Sequence, residues 1–213
     1  MPKLKKSFRG LAAAIAASLF AAIIPQNAQA ATEFKDIKIG SWYQGTVEWG
    51  MSKGIIDGYS DGTFKPNQEV SEAEFLAMML RAFEPNITSL EGEHWAEAYY
   101  KRANELNYPV KDQTRNKAIL RKQVAELISS TEGVNFGGDN AIHYLLAFGL
   151  AEGENPNDVT IQNFQGNKAL TRAEAVQFVK NFTENGIGGL LERPSEPSDS
   201  SDLPPILALK LQK

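Results

Sequence analysis

The chain has no cysteine, which excludes disulfides, thiolate metal sites and a lipid-bearing cysteine. It has two histidines, His94 and His143, and neither stands at a spacing that supplies a serine or cysteine partner, so a nucleophilic triad is not indicated. Long apolar runs are also missing. The longest, within Gly10 to Ile24, falls short of the roughly 20 residues that a spanning helix needs, and Ile206 to Leu211 is shorter still.

The first of these runs has its own logic. Lys3, Lys5, Lys6 and Arg9 precede it, Pro25 ends it, and Ala28-Gln29-Ala30 has the small-x-small form of a signal-peptidase site. Residues 1–30 therefore read as a cleaved secretory signal, with Ala31 as the first mature residue. Without its four cations the remainder has 18 Lys and Arg against 26 Asp and Glu, a net charge of −8. Such a surface argues against nucleic acid as a partner. Anionic polymers would also be repelled unless cations gather at particular sites.

What the chain does have is an internal repeat. Leu170-Thr171-Arg172-Ala173-Glu174 reappears, altered, at Val70 to Glu74 and at Ile119 to Gln123. Gly54 follows Trp42 by twelve positions, as Asn107 follows Trp95, and Phe164 precedes Thr171 by seven, as Phe64 precedes Ser71. Repeats of roughly 50 residues bury their apolar faces on one another. The reading is a signal at 1–30, repeats at 31–87, 88–133 and 134–185, and a flexible Pro/Ser/acidic tail at 186–213.

Each repeat reads as helix, loop, helix. Phe75, Leu76, Met79, Leu80 and Phe83 form an apolar stripe at three- and four-residue steps; Val124, Leu127 and Ile128 form a second, and Ala175, Val176, Val179 and Phe182 a third. The expected fold is all-α, a three-helix bundle with the rest of each repeat projecting outward. Ser71 with Glu74 and Thr171 with Glu174 fit capping boxes. That leaves Arg172 and its counterpart Arg121 unexplained, because a cation in the first helical turn opposes the helix dipole. Either they are solvated, or each holds an anion together with the helix N-terminus. Glu72 occupies the position in the first repeat, and Leu120 replaces the capping hydroxyl in the second.

Phe34-Lys35-Asp36, Trp42, Gly54-Ile55-Ile56, the run from Gly58 to Asn67 and Leu170-Thr171-Arg172-Ala173-Glu174 resemble the S-layer homology domain. The resemblance covers roughly residues 34 to 183. It implies a pseudo-threefold spindle around a central three-helix bundle, binding secondary cell-wall polysaccharide through pyruvylated sugars at the cell surface. By that resemblance the ligand set comprises Arg172, Arg121 and Thr171, with Trp42 and Trp95 against sugar faces, Asp36 and Asp61 at sugar hydroxyls and Tyr59 contributing its own hydroxyl at the groove edge. Core packing remains the other reading of the tryptophans, and turn fixation that of Asp36 and Asp61. Gly58 and Gly62 read as turn glycines.

The resemblance implies no enzyme activity, cofactor or metal. Glu91 and Glu93 beside Trp95 are the acid pair a glycosidase would require, but exposed pairs of this kind are usually solvated. Asp57 and Asp61 lack the alternating acids of a calcium loop. The competing function is a structural component of a surface layer that pairs with other surface proteins.

Overall fold

A computed structural model describes residues 34–206; the expected signal segment lies outside them. The fold is all-α. The helices are α1 Gln44–Ser52, α2 Glu72–Arg81, α3 Glu97–Glu105, α4 Arg121–Thr131, α5 Gly138–Ala147, α6 Ile161–Phe164 and α7 Arg172–Asn185. None of the described helices is long and apolar enough to cross a membrane.

Helix starts follow the sequence chemistry. The Ser71 hydroxyl accepts from the Glu74 N–H, and the Glu74 carboxylate accepts from the Ser71 N–H; Thr171 and Glu174 repeat the arrangement. At α4 only half of this box exists. The Gln123 side chain accepts from the Leu120 N–H, and Leu120 has no oxygen to return the bond.

Three first helices share one ending. Gly54, Asn107 and Gly149 have φ of 67°, 57° and 67°, and the next residue's N–H returns to a carbonyl five positions earlier: Ile55 to Gly50, Tyr108 to Ala103, Leu150 to Leu145. This is a Schellman closure. It explains why asparagine stands in the second repeat, since it tolerates the left-handed region better than other side chains.

The three apolar stripes are buried. α7 packs against α1 and α2, α2 against α3, and α4 mainly against α5. Phe83 meets Phe182 with ring centroids 5.0 Å apart. Burial of a side chain such as Phe182 contributes about 1.5–3 kcal/mol.

The segments leading into α2, α4 and α7 are tied to one another by their backbones. Val70 N–H donates to Leu170 O at 2.9 Å, Leu170 N–H to Ile119 O at 3.0 Å, and Ile119 N–H to Val70 O at 3.0 Å. The three bonds close a ring. Isolated bridges Glu69 with Thr171, Ser71 with Ala118 and Leu120 with Ala169 flank it. First-turn N–H groups, which a helix cannot satisfy internally, are also bonded across repeats: Arg172 to Gln68 O, Arg121 to Lys168 O and Glu72 to Lys117 O.

The expectation of a flexible tail from 186 needs correction for residues 186–206, which run back over the second and third repeats. Leu191 N–H donates to Thr131 O and Arg193 N–H to Leu106 O. The Tyr108 hydroxyl donates to Leu191 O, and Asn135 Nδ2 to Pro194 O. Arg193 donates to Asn107 O and Asn135 Oδ1. Leu190, Leu203 and Ile206 pack on the core. Proline and serine removed the periodicity that signals a helix or strand, but not the backbone groups and apolar anchors that hold an irregular strap.

Candidate ligand grooves

Arg172 and Arg121 occupy matching environments. Arg172 is 5% exposed; its Nε donates to Phe64 O at 2.9 Å, Nη1 to Glu74 Oε1 at 3.1 Å and Nη2 to Asp57 O at 3.2 Å. Arg121 is 4% exposed, and donates to Phe164 O at 2.7 Å, Glu174 Oε1 at 3.2 Å and Glu152 O at 3.1 Å. Each guanidinium also lies over aromatic rings, Tyr59 and Phe64 for Arg172, Phe164 and Phe178 for Arg121.

This answers the dipole objection. Each arginine leaves its own helix start and reaches a capping glutamate of another repeat. One oxygen of that glutamate closes the cap and the other receives the guanidinium. The same guanidinium holds the loop that follows a first helix, through Asp57 and Phe64 or through Glu152 and Phe164. Burial moves the Arg121 guanidinium below its ordinary range, countered by Glu174 and Glu154, and so deep a site depends on its carboxylate partner.

Glu72 meets the same need with opposite charge. It is 4% exposed, accepts from the Tyr100 hydroxyl at 2.7 Å, the Thr114 hydroxyl at 2.8 Å and the Lys111 N–H at 3.3 Å, and thereby holds the second repeat's loop. The Tyr100 hydroxyl is pushed well above the usual phenol range by burial and by Glu72.

Several expected ligand residues also have internal partners. Asp36 accepts from the N–H groups of Phe64 and Lys65 at 2.8 and 2.7 Å. Asp61 accepts from the Thr63 N–H and hydroxyl, which hold its carboxyl below the usual range. Tyr59 lies between Lys65 and Arg172, and its hydroxyl accepts from Gln68. Gly62 is a turn glycine, with φ of 78°. Gly58 is not, which corrects the sequence reading: a Cβ there would lie 2.1 Å from Phe34 Cε1, so the requirement is close approach.

The tryptophans behave differently. Trp42 is 62% exposed and Trp95 48%, so core packing does not account for them. Trp42 lines a cavity of about 650 Å³ with Arg121, Glu152, Glu154, Glu174, Gln177 and Asn181. Gln177 and Asn181, one turn apart on α7 and joined by a hydrogen bond, are polar breaks beside an apolar stripe; that was the available sequence signal for them. Lys168 bonds the Glu154 carboxylate and lies 3.7 Å from Glu174. This lysine holds the Glu154 carboxyl below its ordinary range. Among the described residues no cluster of three His, Asp or Glu side chains is placed to hold a metal ion.

Residues 33–76 match the S-layer homology domain. The chain is 29% identical over 120 residues to the middle cell wall protein of Brevibacillus brevis, covering 53% of this chain and 11% of that protein. It is 22% identical over 207 residues to an S-layer protein of Bacillus thuringiensis subsp. finitimus, covering 84% of this chain and 25% of that one. A cellulosome-anchoring protein of Acetivibrio thermocellus is 39% identical over 61 residues, covering 29% of this chain and 13% of that protein. The chain thus spans a quarter or less of each of these relatives. With its first loop and helix start built as described, the chain carries an S-layer homology domain at residues 33–76.

Proposed function

We propose that the protein attaches noncovalently to secondary cell-wall polysaccharide, with a pyruvylated sugar lying in the cavity beside Trp42. The coarser role, anchoring at the cell surface, follows from the family and its relatives. The observation that carries the finer reading is the exposure of Trp42 at the rim of that cavity. An indole face presents apolar area to a sugar ring, while Gln177 and Asn181 offer amides to its hydroxyls.

The cation for the pyruvyl carboxylate is Lys168, which bonds Glu154 and lies 3.7 Å from Glu174, so the ligand competes with these two glutamates of the cavity wall and affinity is modest. Arg121, with all three nitrogens donating inside the protein, holds Glu174 and the loop at Glu152 in place. Thr171 serves through its cap, which fixes Glu174. Arg172, Asp36, Tyr59 and Asp61 act by shaping the first loop, away from this cavity.

Sedimentation of purified protein with pyruvylated wall polymer tests the reading. Removing the pyruvyl groups should release the protein, and Trp42→Ala should weaken binding about tenfold, on the order of 1.5 kcal/mol for a lost aromatic contact. Equal sedimentation with intact and depyruvylated polymer would overturn the assignment.

A further inference from the structure

The strap lies in a cleft whose walls are residues 106–108, at the end of α3, and 131–135, at the end of α4. Two alternate strap residues have both backbone groups paired there. Leu191 N–H donates to Thr131 O, and Leu191 O accepts from the Tyr108 hydroxyl, each at 2.9 Å. Arg193 N–H donates to Leu106 O, and Arg193 O accepts from Asn107 Nδ2, again at 2.9 Å. Asn135, 8% exposed, closes the far end. Its Nδ2 donates to Pro194 O at 2.9 Å and to Ser195 O at 3.3 Å, and its backbone N–H and O pair with the Ser198 hydroxyl and N–H. Bonds to the backbone, with pockets for alternate side chains, are how an extended peptide is recognised.

The side-chain requirements are few. Leu191 lies on Gly133, where an added Cβ would come within 3.0 Å of its Cδ1. Arg193 donates from Nη1 to Asn107 O and from Nη2 to Asn135 Oδ1, while its Nε is buried without an acceptor among the described residues. The cleft therefore fits an extended segment with a leucine, an arginine two positions on and a proline after it, whichever molecule carries that segment. Gly186, Gly188 and Gly189 stand between the strap and α7. Gly188 has φ of 79°, and a Cβ on Gly188 or Gly189 would meet nothing, so this connector can re-aim the strap without collision.

We propose that this cleft is a peptide-binding site that receives the strap of a second copy of the chain, so that copies join by exchanging residues 191–198. An exchanged strap makes the same bonds as a retained one, which keeps the free-energy cost of exchange low. A connector of a few residues gives the retained strap an effective concentration on the order of millimolar. Exchange therefore belongs to crowded copies, and the dilute protein is a monomer. The cleft shares no residue with the lining of the Trp42 cavity, so joining copies uses none of that cavity's groups.

Two full-length variants separate the strap from its cleft. Leu191→Ala/Arg193→Ala keeps the cleft and disables the strap, whereas Tyr108→Phe/Asn135→Ala keeps the strap and disables the cleft. Each alone should sediment as a monomer, with circular dichroism showing that it is folded. An equimolar mixture should form a heterodimer, associating at least about tenfold more strongly than either variant with itself, the worth of a charged hydrogen bond. A synthetic peptide of residues 189–199 should dissociate it. A mixture that stays monomeric while both variants are folded overturns the proposal, as does a dimer that the peptide leaves intact. If Tyr108→Phe/Asn135→Ala does not fold, fluorescence anisotropy of the labelled peptide with the Leu191→Ala/Arg193→Ala chain tests the same cleft. Binding should weaken about tenfold when the peptide itself carries Arg193→Ala; equal binding of the two peptides, or binding of neither, overturns the site.

Discussion

Replacing Arg172 with methionine keeps most of the side chain's length and apolar volume while removing its charge and donors. The substitution would orphan Phe64 O, Asp57 O and one oxygen of Glu74, in a setting where the arginine is 5% exposed and the Glu74 side chain 26%. Removing one member of a buried, hydrogen-bonded ion pair costs about 3–5 kcal/mol. For a protein of this size each kcal/mol moves Tm by about 2–4 °C, so a fall of about 6–20 °C is expected in thermal unfolding followed by circular dichroism. Glu74→Gln should be destabilising by itself and should add less than its full cost on top of Arg172→Met, because the two share one contact. An unchanged Tm for Arg172→Met, with loss confined to polysaccharide binding, would refute the structural role and return Arg172 to the ligand set.

Two further outcomes are expected. Burial raises the Glu132 carboxyl above its ordinary value of 4.5, against a hydrogen bond from the Ile187 N–H; a raised carboxyl contributes stability below the unfolded value and loses it as pH rises through the folded one. Glu132→Gln should therefore be at least as stable as the parent at pH 7, with the difference closing below about pH 4.5, and a clear loss at pH 7 in denaturant titrations would contradict this. Gly58→Ala should cost about 1–3 kcal/mol through overlap with the Phe34 ring; an unchanged midpoint would show that the ring moves aside freely.

Local features of the fold were legible in the sequence because they depend on neighbours within a few residues. The capping boxes and the apolar stripes belong to that class, and the spacing that aligns Asn107 with Gly54 marked the helix ends without revealing their left-handed conformation. Arg172 was not legible in the same way, since its partners Glu74, Phe64 and Asp57 lie 98, 108 and 115 positions away. A cation in the first turn of a helix calls for an anion, which an external ligand could bring; the fold supplies Glu74. Trp42 was ambiguous for a related reason, as an indole suits a core or a sugar equally, and only its exposure separates the two. The strap was hidden by composition, which reports on periodic structure and is silent about Asn135 or Tyr108 waiting as partners.

The backbone ring through Val70, Ile119 and Leu170 sets a limit on how such a chain can be varied. A stacked solenoid exposes an open end onto which another unit can be added. Here each segment gives its N–H to one neighbour and its carbonyl to the other, so the series has no end. Deleting one repeat would strand a donor and an acceptor in a buried place, and inserting a fourth would have to break a bond before it could join. Copies that multiply along a chain built this way must therefore come as whole rings of three, and a single repeat moved into another protein would arrive without the partners that complete its helix start.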